Sequence, residues 1–116
     1  MDMQVKDSLL ILATVDKGVY FIKNHKIIKV LVLKNGLSSN NCSKMQLYKN
    51  KLYIGTNKGI SIYNFSNNTI QTLYESDGLA SNMVNDFSIE NDTMYAATDN
   101  GLSILALQNI PIRRPF

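Results

Sequence analysis

The chain has 116 residues, 45% of them apolar, and a formal net charge of +3. This length and apolar content suit one domain with a buried core, which excludes a disordered protein. Ten lysines and three aspartates give residues 1–58 a charge of +7, whereas two arginines and six acidic residues give residues 59–116 a charge of −4. The lysines are spread over turns and strand faces, which favours a solvated surface over a nucleic-acid-binding patch.

The first third of the chain, residues 1–41, reads as four short strands. Their apolar runs are separated by polar or glycine-containing turns, and Val15-Asp16-Lys17-Gly18 forms the second turn. The predicted strands are Met3–Val5, Leu9–Thr14, Val19–Ile22 and Ile27–Leu33. Strands joined in sequence by short turns predict an antiparallel meander.

Residues 42–83 repeat this course in its most regular form. Asn57-Lys58-Gly59 predicts a tight hairpin, since Asn and Gly tolerate positive φ. The predicted strands are Cys42–Leu47, Leu52–Thr56, Ile60–Tyr63 and Thr69–Tyr74. Cys42 takes the apolar position that Val84 takes in the next repeat, so it is expected to be a small buried side chain rather than a nucleophile.

Residues 84–107 begin a third repeat that stops after three strands. These strands are predicted at Val84–Ile89, Met94–Thr98 and Leu102–Leu107. Residues 108–116 then contain Pro111 and Pro115, which cannot donate to a central strand ladder. The segment 108–116 is therefore expected to leave the repeat array.

Equivalent residues recur at a fixed spacing. Three threonines are equally spaced along the chain, a glycine follows each of them, and two further glycines lie in the loops that link the repeats. These repeat positions are Thr14, Thr56, Thr98, Gly18, Gly59, Gly101, Gly36 and Gly78. A period of about 40–45 residues of short strands is typical of a propeller blade. The sequence thus predicts an all-β partial β-propeller of just under three four-stranded antiparallel blades, whereas closed propellers use roughly 4–8.

Two linked motifs resemble the two-component regulator propeller repeat. The loop Asn35-Gly36-Leu37-Ser38-Ser39-Asn40 precedes the strand Leu52-Tyr53-Ile54-Gly55-Thr56, and both return one repeat later. Tyr53 and Tyr95 replace the tryptophan of the family and are expected to be packed between blades. The resemblance implies a periplasmic or extracellular sensor region of a histidine kinase or hybrid receptor, with a glycan or another small ligand. It also implies that residues 108–116 start a following immunoglobulin-like domain.

No catalytic, metal or cofactor site can be assembled from the residue types present. His25 is the only histidine and lies in a turn, and the aspartates also fall at turns, so a nucleophile–base–acid set is lacking. The linking loops are interpreted as structural rather than ligand-binding. Tyr48 and Tyr74 are less constrained by the repeat and are the candidates for ligand contact.

The sequence leaves two functional hypotheses. The favoured one is a non-catalytic, ligand-sensing propeller segment of a bacterial two-component receptor; the alternative is a structural or protein-interaction propeller module of a secreted or secretion-associated protein. Neighbouring blades or other copies of the chain are the expected partners, without nucleic acid or membrane contact. Leu9–Val15 is expected to be a strand, so the signal peptide of an exported protein would lie outside this chain.

Overall fold

The protein is all-β and contains three antiparallel sheets. The computed structural model describes residues 2–110, and the proline-containing part of the exit segment, 111–116, lies outside the described residues. The first sheet comprises β1 (Asp2–Lys6), β2 (Leu9–Ala13), β3 (Val19–Lys23) and β4 (Lys26–Leu31). The second comprises β5 (Cys42–Tyr48), β6 (Lys51–Thr56), β7 (Gly59–Asn64) and β8 (Thr69–Leu73). The third comprises β9 (Val84–Glu90), β10 (Thr93–Thr98) and β11 (Gly101–Ala106).

Each sheet is a meander in which neighbouring strands pair in sequence order. The all-β prediction is confirmed, with sheets of four, four and three strands. Within residues 2–110 helical structure is confined to three single 3-10 turns, at Leu33–Asn35, Glu75–Asp77 and Leu107–Asn109. The first of these corrects the predicted fourth strand, which ends at Leu31 instead of Leu33 because the Asn35 Oδ1 accepts the Val32 N–H (3.0 Å) and turns the chain.

The three sheets share one register. Ile11 pairs with Gln4, Tyr53 with Gln46 and Tyr95 with Ser88, so the cross-strand partners recur with the same period as the strands. On the other side of each strand the pairs are Ile11–Phe21, Tyr53–Ile62 and Tyr95–Ile104. The Ile11–Phe21 pair is offset by one residue relative to the other two pairs, because the hairpin between β2 and β3 is one residue longer than the equivalent hairpins of the other sheets. Equal register puts equivalent side chains on equivalent faces of all three sheets.

Two apolar clusters join the sheets face to face. The cluster between the first and second sheets holds Ile11, Phe21, Met45, Leu52 and Ile54 among its buried members. The cluster between the second and third sheets contains Tyr53, Ile60, Ile62, Phe87 and Met94 among others. The second sheet is therefore covered on both faces, whereas within residues 2–110 the first and third sheets are covered on one face each.

The apolar residues in and around the second sheet divide between the two clusters. Ile54, Ile62, Leu79 and Val84 are all buried. Ile62, Leu79 and Val84 belong to the cluster shared with the third sheet, whereas Ile54 belongs to the cluster shared with the first sheet. Alternation along β6 explains the difference, because Tyr53 and Ile54 are successive residues of a strand and must point to opposite faces.

Candidate functional site

The two loops that link the sheets have the same hydrogen-bond pattern. The Leu33 N–H donates to Asn40 Oδ1 (2.9 Å), and at the equivalent position of the next repeat the Glu75 N–H donates to Asn82 Oδ1 (2.7 Å). The backbone carbonyls of the same two asparagines accept the N–H groups of Gly18 (3.0 Å) and Gly59 (2.6 Å).

The serine-containing part of each loop is fixed to the following sheet. The Ser38 N–H donates to Ser61 Oγ (3.0 Å), and the Ala80 N–H, at the equivalent position, donates to Ser103 Oγ (2.6 Å). Gly36 and Gly78 both adopt positive φ, at 104° and 113°. The polar groups of the loops are thus engaged within the fold, which leaves little of them for a ligand.

The three repeat threonines perform one task in the three sheets. The hydroxyl of Thr14 donates to the Gly18 carbonyl (2.7 Å), that of Thr56 to Gly59 (3.0 Å) and that of Thr98 to Gly101 (2.8 Å). Each hydroxyl also accepts the N–H of a turn residue, from Lys17, Lys58 or Asn100. Each threonine therefore closes the hairpin between the second and third strands of its sheet.

A groove of about 320 Å³ opens between the second and third sheets, at the end opposite the linking loops. It is lined by Tyr48, Lys49, Lys51, Tyr53, Asp92, Leu107 and Gln108. Two tight turns form its rim, and both central residues of each turn have positive φ: Lys49 and Asn50 between β5 and β6, and Asn91 and Asp92 between β9 and β10. Such turns match the twist of the antiparallel strands that they join.

Asp92 connects the two turns. The Tyr48 hydroxyl donates to Asp92 Oδ1 and accepts the Asp92 N–H, both at 2.8 Å. The Lys49 ammonium donates to the same carboxylate oxygen at 2.7 Å and lies 5.5 Å from the centroid of the Tyr48 ring. These contacts fix the Tyr48 ring as one wall of the groove.

The electrostatics of the groove follow from these contacts. The hydrogen bond from Lys49 lowers the pKa of Asp92 most, and the hydrogen bond from Tyr48 lowers it further. The hydrogen bond between Lys49 and Asp92 also raises the pKa of Lys49. Burial raises the pKa of the Tyr53 hydroxyl, which therefore stays protonated. Among the described residues no hydrogen bond is made by the Tyr53 hydroxyl, so it remains a donor for a bound molecule. An aromatic wall, a hydroxyl, an amide and the ammonium of Lys51 suit a small polar ligand.

The sequence-predicted candidates do not come together. Tyr48 lies in the groove, but Tyr74 lies at the other end of the second sheet, where its ring is next to Gly59. Tyr53 is buried as expected, with 4% of its surface exposed, whereas Tyr95 is 42% exposed, so the expectation that Tyr95 is packed between blades is wrong. Tyr95 occupies the free face of the third sheet, where none of the described strands covers it.

Sequence reasoning missed most of the groove. Lys49, Lys51, Leu107 and Gln108 lie there although no sequence motif indicates them, and Asp92, which was expected only as a turn residue, lies there as well. The equivalent placement of the Lys49-Asn50 and Asn91-Asp92 turns in successive repeats was the available signal. His25 lies exposed in the turn between β3 and β4. Among residues 2–110 no group of three His, Cys, Asp or Glu side chains could hold a metal ion.

Cys42 is buried at the start of β5, in the cluster between the first and second sheets. Its thiol contacts the Ser39 carbonyl at 3.7 Å, and burial raises its pKa to about 11. A protonated, enclosed thiol is a poor nucleophile.

In the part of the chain that the structure describes, no helix has the length and apolar character needed to cross a membrane.

Comparisons with known proteins relate the fold to two designed structures. No protein family and no curated protein matches the sequence. The crystal structure of the computationally designed Ika8 protein matches with a TM-score of 0.67 and 15% identity, covering 90% of this chain and 32% of that chain. The computationally designed Ika4 protein matches with a TM-score of 0.67 and 17% identity, covering 90% of this chain and 64% of that chain. The chain thus spans less than two thirds of either match, and identities this low show similarity of fold alone.

Proposed function

We propose that this chain is a ligand-sensing segment of a bacterial two-component receptor and that its sheets are propeller blades. The observation that carries the proposal is the pair of linking loops, whose motifs resemble the two-component regulator propeller repeat and whose hydrogen bonds are equivalent in successive repeats. Face-to-face stacking of meanders in one register supports the propeller architecture. By the same resemblance, the segment functions in the periplasm or outside the cell.

The groove supports binding rather than catalysis. Of the described residues that line it, Asp92 is the one carboxylate, and its pKa is lowered by Lys49 and then by Tyr48. A carboxylate held ionised and hydrogen-bonded cannot act as a general acid near neutral pH. The Tyr48 ring, the Tyr53 hydroxyl, Lys51 and Gln108 instead offer stacking and hydrogen bonding of the kind that sugar hydroxyls use. We therefore propose a glycan as the ligand class.

Titration with a panel of neutral and anionic oligosaccharides tests this function, followed by NMR at the Tyr48 and Tyr53 rings. We expect a saccharide to shift these signals, and we expect Lys51→Ala and Tyr53→Phe to weaken binding. Tyr74→Ala is the matched control, because Tyr74 lies at the opposite end of the second sheet. Release of new reducing ends by the protein would contradict a non-catalytic role. The alternative function, a structural or protein-interaction module, would be favoured if no saccharide shifted these signals.

A further inference from the structure

The free faces of the first and third sheets carry the residues that elsewhere in the chain join one sheet to the next. On the third sheet these are Tyr95, Ala97, Leu102 and Ile104, which are equivalent to Tyr53, Gly55, Ile60 and Ile62 of the second sheet. On the first sheet they are Met3, Val5, Leu10 and Leu12, which are equivalent to Met45, Leu47, Leu52 and Ile54. Each free face thus has the register of a face that is covered inside the chain.

The internal contacts show how such faces interlock. Phe87 of the third sheet packs on Gly55 of the second, since a Cβ at Gly55 would lie 3.2 Å from the Phe87 ring. One sheet earlier, Met45 and Ala13 take the equivalent positions and belong to one buried cluster. A bulky side chain from the first strand of one sheet thus fills the space over a small residue in the second strand of the sheet before it.

The free faces offer the two halves of the same contact. Met3 is equivalent to Met45 and Phe87 and is 57% exposed. Ala97 is equivalent to Gly55 and Ala13 and lines an open hollow of about 180 Å³ with Tyr95 and Leu102. An apolar hollow of about 410 Å³ adjoins Met3 and Leu12 on the first sheet. Charge is complementary as well: β9–β11 and their turns hold four acids and no base, whereas residues 2–31 hold five lysines and three aspartates.

We propose that the free face of the third sheet binds the free face of the first sheet of a second copy, with Met3 seated over Ala97. The contact is heterologous, so it leaves one free face on each side and is repeated until a ring closes. Two copies supply six sheets, which lies within the roughly 4–8 that closed propellers use. By this proposal, a molecule that holds only these three sheets closes the ring as a head-to-tail dimer with two equal contacts.

One position opposes this contact. Asp2, Lys44 and Asp86 are equivalent residues of the three sheets, and Asp2 Oδ2 accepts the Met45 N–H at 2.7 Å across the first contact. Opposite charges therefore alternate inside the chain, but in the dimer Asp86 of one copy lies beside Asp2 of the other. Asp86→Asn removes this like-charge pair without placing a cation beside Lys44, and we expect it to tighten the dimer about two- to fivefold.

Sedimentation equilibrium of the full chain and two variants tests the proposal. The chain of 13.0 kDa is expected to sediment at twice that mass. Met3→Glu blocks the free face of the first sheet and Ala97→Glu that of the third, so each variant alone is expected to be monomeric. A mixture of the two is expected to associate again, because the Met3→Glu copy keeps an intact third sheet and the Ala97→Glu copy an intact first sheet. Val15→Glu, in the exposed turn after β2, is the matched control and should leave the dimer intact.

Several results would overturn the proposal. A wild-type monomer would show that the occupant of these faces is not a second copy, and species larger than a dimer would show that two copies do not close a ring. A dimer that survives either variant would point to a contact between like faces. Circular dichroism distinguishes a blocked contact from an unfolded variant, and the recovery of association in the mixture requires both variants to be folded.

Discussion

The second and third sheets have equivalent residues in the same register, yet they bury them differently. Ile62 is 6% exposed and Ile104 is 61% exposed, although both are isoleucines at the same repeat position. Tyr53 and Tyr95 differ in the same way. Among the described strands the second sheet lies between two neighbours and the third sheet has one, so burial at a repeat position is determined by the neighbouring sheet rather than by residue type.

The outer edges of the two sheets differ as well. β8 pairs with β7 in the second sheet, whereas β11 has no fourth strand beside it among the described residues. Gly59 and Gly101 open β7 and β11 at equivalent positions, with φ of 102° and 108°. A Cβ at Gly59 would collide with the Leu73 carbonyl of β8, whereas a Cβ at Gly101 would have no described heavy atom within 4 Å.

Replacing these two glycines by alanine should separate backbone strain from steric collision. Gly101→Ala is expected to cost about 1–2 kcal/mol, because an L-residue disfavours positive φ. Gly59→Ala adds overpacking against β8, worth about 1–3 kcal/mol, and is expected to cost about 2–5 kcal/mol in all. Urea unfolding of both variants measures the difference. Equal costs would show that β8 does not approach β7 as described.

The isoleucine pair tests the covering of the sheets by side chains. Ile62→Ala should cost about 2–5 kcal/mol, because it leaves a cavity between the second and third sheets. Ile104→Ala should change stability by less than about 0.5 kcal/mol, as at an ordinary surface site, when the protein is dilute enough to be monomeric. Denaturant titration of both variants at low concentration checks this. A large loss for Ile104→Ala under those conditions would show that something covers the third sheet within the chain.

Cys42 of the second sheet and Val84 of the third sheet occupy the same repeat position. Because Cys42 can ionise and Val84 cannot, the two sheets can also be compared through the pH dependence of stability. Both are buried, so Cys42→Val should keep the fold, with a change in stability below about 1.5 kcal/mol. The pKa of the Cys42 thiol is raised from 9.0 to about 11, so the folded state holds the proton more tightly than the unfolded state. Its contribution to stability is complete below pH 9.0 and is lost as pH rises to about 11. Stability should therefore fall more steeply over this window in the wild type than in Cys42→Val, and parallel curves would contradict the burial of the thiol.

The smallest expected effect concerns the hydrogen bonds from Tyr48 and Lys49 to Asp92, which join the second and third sheets at the groove. The pKa of Asp92 is lowered chiefly by Lys49 and then by Tyr48, so Lys49→Met should raise it more than Tyr48→Phe. Asp92 supports the folded state above its ordinary pKa of 3.8, and this support is lost as pH falls through its lower folded value. NMR titration of the Asp92 carboxyl carbon measures both shifts. An unchanged pKa in Lys49→Met would rule out the hydrogen bond from Lys49.

Local sequence signals predicted most strands of the fold. Alternating apolar residues and glycine-marked turns located the strands, and the spacing of Thr14, Thr56 and Thr98 placed β2, β6 and β10 at equivalent positions. The hairpin Asn57-Lys58-Gly59 was predicted from residues that tolerate positive φ. Of its three residues only Gly59 adopts positive φ, so the residue type of Asn57 did not determine its backbone conformation.

What the sequence left out depends on contacts between sheets. The exposure of Tyr95 follows from the lack of a covering sheet among the described residues, which no property of the residue reveals. The groove joins Tyr48 to Asp92, which are distant in sequence, and its hydrogen bonds arise only when the second and third sheets pack. Sequence periodicity identifies equivalent residues, but it does not identify which of them have a neighbour.

Hydroxyl-radical footprinting of the native chain tests the central claim most directly. The rate of oxidation of a tyrosine ring reports its exposure, and Tyr53 and Tyr95 are the same residue type at the same repeat position. In dilute, monomeric protein we predict rapid oxidation of Tyr95 and slow oxidation of Tyr53. Equal rates for the two rings would contradict the account, because they would show that the neighbouring sheet does not determine burial.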